Sequence, residues 1–222
     1  PHSGPPPSLL PLLLMPYQVM HVAEKPSVAR QLAPHLCRKG TFPVRVGSAT
    51  WQTLEFKGNW QNQGEVHHVM TSVRGHLLSQ DFSQRWRKWH SCSPIELLGE
   101  GVIESFCADD MKGVYDNLQS IAKKSNVLVL WTDCDREGEH IGYEIKITCD
   151  KVKANLSCFR AQFSCCIKTE VTKAVQTLRR LNMGMVNAVI ARQELDLRIG
   201  AAFTRFQTLL LQQKYSEIEG VV

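Results

Sequence analysis

A strand-like apolar run that ends in closely spaced carboxylates, Val127 to Glu139 with the sequence VLVLWTDCDREGE, constrains this chain more than any other stretch. In an extended segment successive side chains alternate faces, so Asp133, Asp135 and Glu137 point the same way and crowd three negative charges together. Such crowding calls for a cation. All-oxygen ligands favour Mg²⁺ or Mn²⁺, which suits chemistry on a phosphate. The competing reading is that the acids cap the helix that begins near Gly138 and carries Ile141 and Ile145 on one side. One carboxylate suffices for capping, which puts the metal reading first of the two.

At 222 residues and 43% hydrophobic content, the chain has enough apolar surface for a buried core in one larger domain, or in one domain plus part of another. A net charge of +5 leans towards a polyanionic partner, although many proteins with no such partner share that balance. The eight cysteines (Cys37, Cys92, Cys107, Cys134, Cys149, Cys158, Cys165 and Cys166) form no CxxC pair and read as reduced thiols of an intracellular protein. A zinc site is not expected, since neither the cysteines nor His67 and His68 fall at finger-like spacing. No GxxxxGK[ST] phosphate loop occurs, so ATP is not implied. Residues 1–16 are proline-rich, with a leucine run too short to span a bilayer and interrupted by Pro11. They are expected to be disordered, and no membrane partner is expected. Because the chain begins with Pro1, the native N-terminus is expected to lie upstream.

Along the chain, Tyr17 to Ala23 reads as a buried strand, followed by a helix from Ser27, taken as its N-cap, to about Cys37. Thr50 to Lys57 and Gln63 to Thr71 read as a hairpin around Gly58-Asn59, and Ser72 to Pro94 as an irregular polar stretch rich in aromatics. Met111, Val114, Leu118 and Ile121 mark a helix that leads into the Val127 strand; Leu156 to Arg160 is a further strand, and Val171 to Leu178 another helix. This alternation predicts an α/β domain with a mainly parallel sheet. Ligand groups in such sheets gather at the carboxyl ends of the strands. Glu24 follows its strand as Asp133 follows its own, so folding can bring Glu24 beside the acids as a general acid or base, with Lys25 to neutralise a phosphate. The alternative for Glu24 and Lys25 is an exposed turn.

From about Val186 to Lys214 the pattern is one long helix. Arg192, Asp196, Ile199 and Phe203 recur at three- and four-residue steps, which predicts a half-buried arginine–aspartate pair beside apolar side chains. Arg198 and Arg205 share another face and are read as structural rather than phosphate-binding. Arg85, Trp86, Arg87, Lys88 and Trp89 interleave cations with aromatics as single-strand-binding surfaces do, but an anchoring role for the tryptophans is preferred.

Four motifs in order, HVAEKPSVARQLA, MTSVRGHLL, WTDCDREGEHIGYE and ARQELDLRIGAAFTRFQ, closely resemble the eukaryotic type IA DNA topoisomerase III enzymes from about His21 to Tyr215. Thr132, Arg136 and the IGYE continuation are more like the alpha form than the beta form. The resemblance implies a Toprim domain over 17–165 and, over 166–222, the beginning of the helical DNA-binding domain. It implies Glu24 as catalytic glutamate, Lys25 as transition-state-stabilising lysine, Asp133, Asp135 and Glu137 as Mg²⁺ ligands with Mn²⁺ as an alternative, and Arg192 and Asp196 near the scissile strand. The implied partners are single-stranded DNA, a RecQ-family helicase and an OB-fold cofactor protein, in the nucleus or, for some forms, the mitochondrion.

The chain departs from the resemblance at several places. Tyr17, Tyr115, Tyr143 and Tyr215 do not sit in the motif of the family's nucleophilic tyrosine, so no nucleophile is expected in this chain and cleavage by the chain alone is not expected. His140 stands where the family usually has asparagine, and Gln162, Cys165 and Cys166 interrupt an RARFSEIT-like segment. Two alternatives stay open: a truncated, non-catalytic DNA-binding module, and another Toprim phosphoryl-transfer enzyme such as a nuclease or primase.

Overall fold

A computed structural model describes residues 17–39, 41–46, 53–215, 217 and 220. The proline-rich segment 1–16 and the expected start of a strand at Thr50 lie outside the described residues. Six strands form the main sheet: β1 (Gln18–Ala23), β2 (Val44–Val46), β3 (Thr53–Asn59), β4 (Glu65–Ser72), β7 (Val127–Trp131) and β8 (Ser157–Arg160), in the order β2-β3-β4-β1-β7-β8. The neighbours β4, β1, β7 and β8 run parallel, whereas β2 and β3 are antiparallel additions at one edge. The expected mainly parallel α/β sheet is thus present. A separate ribbon pairs β5 (Ser79–Phe82), inside the stretch read as irregular, with β6 (Ile103–Phe106) beyond it. These short strands carry no long apolar alternation, which is why the sequence pattern did not mark them.

The alternation of β1 and β7 divides the core in two. Val19, Ala23, Val127, Val129 and Trp131 face the side covered by helices α1 (Pro26–Leu36) and α5 (Lys168–Gln176). Met20, Val22, Leu128 and Leu130 face the other side, covered by α3 (Lys112–Lys124) and α4 (Arg136–Asp150). Central parallel strands covered on both faces are apolar throughout, and this explains the unbroken VLVLW run. Burial of apolar area at roughly 25 cal/mol per Å² is the main favourable term holding these layers.

Local details differ from expectation. Pro26 opens α1 and Lys25 is its N-cap without a side-chain hydrogen bond, so Ser27 lies inside the helix. Pro at the first turn is favoured because that turn has no intrahelical use for its N–H. The β3–β4 connection runs over Trp60–Gly64 through a 3₁₀ turn, not at Gly58-Asn59, because Gly58 still pairs with Val66. Gly64, at φ 72°, supplies the left-handed conformation that closes the turn.

The long helix α6 (Met183–Lys214) was expected, but its buried side is not. Val186, Val189, Ala202, Arg205 and Thr208 face inward, whereas Ile199 and Phe203 are 48% and 57% exposed and Asp196 is exposed. Periodicity shows which residues share a face; it does not say which face a neighbour covers. Arg205 donates to the carbonyls of Trp86 (2.7 Å) and Arg87 (3.0 Å), and Arg198 to those of Leu97 (2.9 Å) and Gly101 (2.8 Å). Both arginines are therefore structural, as read. Trp86, on the short helix α2 (Gln84–Arg87), is buried with Phe82, Leu97 and Ala202 and anchors this segment to α6.

A buried polar chain crosses the α1 side of the sheet. Trp131 Nε1 donates to His21 Nδ1 at 3.1 Å, which leaves the His21 proton on Nε2, 2.9 Å from His68 Nδ1. Burial pushes the His21 imidazole well below its ordinary value, helped by the neighbouring His68, and pushes His68 down to about 4. Both rings are neutral when folded, while in the unfolded chain they protonate near pH ~6.5. Stability is therefore full above about pH 6.5 and falls as pH drops towards the folded value, by at most about 1.4 kcal/mol per pH unit for each histidine. Urea unfolding between pH 7 and pH 5 checks this, with imidazole NMR shifts as the residue-level readout. A His68 ring that titrates at its ordinary value in the folded protein contradicts it.

Candidate active site

Because β1 pairs with β7 in parallel, with Ala23 opposite Trp131, the residues that follow the two strands emerge side by side. Glu24 Oε2 accepts the Asp133 backbone N–H at 2.9 Å, and Lys25 Nζ lies 3.1 Å from Glu24 Oε1 and 3.2 Å from Asp133 Oδ2. Glu24 is 7% exposed, and the Lys25 and Asp133 side chains are about half exposed. The Glu24 contacts, then the Asp133 contacts, raise the Lys25 pKa above its ordinary value, so the ammonium stays charged. The exposed-turn alternative for Glu24 and Lys25 does not hold for Glu24.

The three acids are not arranged by strand alternation. β7 stops at Trp131, Asp133 lies in the following loop, Asp135 is the N-cap of α4 and Glu137 sits in its first turn. Asp135 Oδ1 accepts the Gly138 N–H at 2.7 Å, so the capping role is real for that residue. Glu137 turns the other way, with Oε1 2.8 Å from Arg192 Nη2 and Oε2 3.3 Å from His76 Nε2. Gly138 is required by a close approach, because a Cβ there would collide with the Asp133 backbone. Thr132 Oγ1 donates to the Gly138 carbonyl at 2.6 Å and tightens the same turn.

Arg192 therefore pairs across elements with Glu137, not along its own helix with Asp196. Its side chain is 57% exposed and Asp196 is exposed as well, where a half-buried Arg192–Asp196 pair was expected. The SVRGHLL segment after β4 completes the surroundings. Val73 N donates to the Ala23 carbonyl at 2.9 Å, Gly75 takes φ 85°, and His76 Nδ1 comes 3.2 Å from Glu144 Oε1. Contacts with Glu144 first, then Glu137, hold the His76 pKa up, whereas burial is the main cause that pushes His140 down.

Arg160, which sequence reasoning placed only as the end of a strand, organises this loop. It is fully buried, forms an ion pair with Glu139 (3.0 Å), and donates to the carbonyls of Ala161 (2.8 Å) and Asp133 (2.6 Å). Glu139 Oε2 accepts the Asn182 N–H at 2.9 Å at the start of α6. An arginine in an otherwise strand-like segment was the available signal, but its partner lies on a separate element. Taken together, the group offers a buried carboxylate beside a cation, exposed hard-oxygen donors at a helix N-terminus, and a guanidinium free to reach solvent. That set suits phosphoryl transfer.

The Toprim domain family matches residues 19–165. DNA topoisomerase 3-alpha of Arabidopsis thaliana is 46% identical over 90% of the chain, and its human counterpart 44% over 90%. DNA topoisomerase 3-beta of Drosophila melanogaster is 39% identical over 90%. The chain spans only 22%, 20% and 23% of these proteins. Among solved structures, full-length topoisomerase I from Thermotoga maritima matches in fold, with a TM-score of 0.52 and 22% identity over 87% of this chain and 26% of that one.

Replacing Arg160 with Met leaves Glu139 charged, buried and unpaired, and is expected to cost about 3–5 kcal/mol. Urea unfolding measures it. A loss under about 1 kcal/mol, near the median of an exposed pair, contradicts the role assigned to Arg160.

Proposed function

The chain belongs to the Toprim-domain family, and from that premise we propose that it is the acid-bearing part of a type IA DNA topoisomerase that breaks, passes and rejoins single-stranded DNA without ATP. The observation that carries this reading is the hydrogen-bonded group of Glu24, Lys25 and Asp133 at the carboxyl ends of adjacent parallel strands. The relatives are DNA topoisomerases by name.

Toprim domains bind a divalent metal, and Asp133, Asp135 and Glu137 offer the hard-oxygen chemistry for one, but their oxygens are not gathered here: binding would draw Glu137 away from Arg192 and His76. Asp133 and Asp135 are exposed carboxylates, Glu137 is half-buried, and Lys25 and Arg192 supply the positive charge beside Asp133 and Glu137. Asp133, Asp135 and Glu137 would hold Mg²⁺ or Mn²⁺, whose chemistry is to neutralise phosphate charge. Glu24, shielded from water, takes the hydroxyl proton of the attacking tyrosine and passes it to the 3′ oxygen as the Tyr O–P bond forms and the P–O3′ bond breaks. The products are a 5′-phosphotyrosine and a 3′ hydroxyl, and Glu24 takes the proton back on rejoining. Lys25 and Arg192 meet the phosphate oxygens, Arg192 with a fork suited to two of them. Asp196, exposed on the same helix, is assigned with Arg192 to the neighbourhood of the scissile strand by the family resemblance. The nucleophile is assigned to sequence outside this chain.

Residues 17–165 are proposed as the Toprim domain and 166–222 as the start of the helical DNA-binding domain, although α5 also covers the Toprim sheet. A nuclear protein acting with a RecQ-family helicase and an OB-fold protein is the cellular setting this reading proposes. Among the described residues no helix is long and apolar enough to cross a membrane.

The test joins this chain to the tyrosine-bearing remainder of the Arabidopsis relative and follows DNA-linked protein on denaturing gels. The fusion forms the adduct and the chain alone does not. Glu24→Gln lowers cleavage by about 10²–10⁴-fold with little change in single-strand affinity. Arg192→Ala weakens binding, which also falls with salt because releasing phosphate counterions into concentrated salt is less favourable. An adduct on the chain alone would mean that another residue is the nucleophile. In a separate measurement, Asp133→Ala/Asp135→Ala abolishes Mn²⁺ binding by the chain, read by water relaxation; unchanged binding sinks the metal assignment.

A further inference from the structure

We propose that His76, His140 and Glu144 form a second metal site, one for a zinc-type transition-metal dication. Among the described residues these three form the one His, Cys, Asp or Glu trio whose ligand atoms all lie within 4.8 Å of one another. Glu144 Oε1 is 3.2 Å from His76 Nδ1 and 3.7 Å from His140 Nδ1. Tetrahedral zinc, at ~2.0–2.1 Å from nitrogen or oxygen, sets its ligands about 3.3 Å apart, so the observed spacing needs little movement.

Two further features point to a ligand. His140 is 4% exposed, yet its Nδ1 has no hydrogen-bond partner among the described residues, and it is aimed at Glu144. A buried ring nitrogen without a partner costs free energy that a metal bond would recover. The trio is also supported as ligands are. Leu77 N and Leu78 N donate to Glu144 Oε2 at 2.8 and 3.4 Å, which holds Oε1 towards the two rings. On the far side of His76, Nε2 lies 3.3 Å from Glu137 Oε2, so a metal on Nδ1 would complete a carboxylate–histidine–metal arrangement.

The donor set selects the ion. Two imidazoles and a carboxylate suit zinc, whereas Mg²⁺ prefers oxygen ligands and keeps its waters. A cavity of about 240 Å³ beside His140 and Glu144, lined also by Gln80 and Tyr143, leaves room for a water as a fourth ligand. Gln80 Oε1, another atom there without a partner, can accept from that water. His140 and Glu144 are one helical turn apart on α4, while His76 arrives from the loop after β4. The proposed site departs from the expectation of no zinc site, which considered only cysteines and the adjacent pair His67 and His68. It does not rest on the topoisomerase reading.

The competing arrangement is a protonated His76 bridging Glu137 and Glu144 with no metal. The experiment titrates Zn²⁺ into the metal-free, reduced full chain against a chromophoric chelator, with Co²⁺ as a spectroscopic substitute. Expected are one tight Zn²⁺ per chain, a Co²⁺ band pattern of a four-coordinate nitrogen–oxygen site, and a rise in Tm with Zn²⁺. In His140→Asn, Zn²⁺ affinity falls at least about tenfold and the Tm rise is lost. Asp133→Ala/Asp135→Ala leaves Zn²⁺ binding unchanged. Glu144→Gln, folded by far-UV circular dichroism, gives the same loss of Zn²⁺ affinity and replaces His140→Asn as the test if that variant folds poorly. Equal Zn²⁺ affinity in the wild type and folded His140→Asn overturns the site, as does a Co²⁺ spectrum with thiolate charge transfer alone.

Discussion

The ion pair of Arg160 with Glu139 is the interaction on which the active-site geometry depends. Removing both charges from water is expensive, and their attraction offsets that cost only when the remaining donors and lone pairs are satisfied. Here they are: the Arg160 fork serves the carbonyls of Ala161 and Asp133, and the second oxygen of Glu139 takes the Asn182 N–H. One guanidinium thus joins the ends of β7 and β8 to α4 and, through Glu139, to the entry of α6. A neutral side chain of similar volume could fill the space, but it would not set the direction of the Asp133 loop.

That direction matters because the carboxylates around it take different partners. Glu24 is held by a backbone N–H and Lys25, Asp135 by the helix start, Glu137 by Arg192 and His76, and Glu144 by His76 and two backbone N–H groups. Each pairing relieves repulsion between like charges, and each is of a kind that an arriving phosphate or metal ion can exchange. Lys25 and Arg192, half exposed, can move; Glu24, buried, cannot move far. This division suits a site that must bind a polyanion yet keep one carboxylate shielded from water.

Glu137 links the two metal-binding readings. It is proposed for Mg²⁺, and it supports His76, which is proposed for zinc. His140, the departure from the family pattern noted in the sequence, supplies the ring that turns a histidine–glutamate contact into a trio.

Much of this was legible in the chain. The apolar runs of β1 and β7 announced a buried parallel sheet because covered strands cannot alternate, and EKP after one strand with DCDREGE after the other marked the carboxyl ends where such sheets hold ligands. Those signals are local, set by the period of the backbone and by residue chemistry. The structure decided what depends on distant partners. It set the pairing of Arg192 with Glu137 instead of Asp196, the outward face of Ile199 and Phe203, the roles of Asp135 as cap and Arg160 as hub, and the meeting of His76 with His140 and Glu144. The physical reason is the same in each case: periodicity determines which side chains share a face, but only the packing of one element on another determines what that face meets and which charges lose their water.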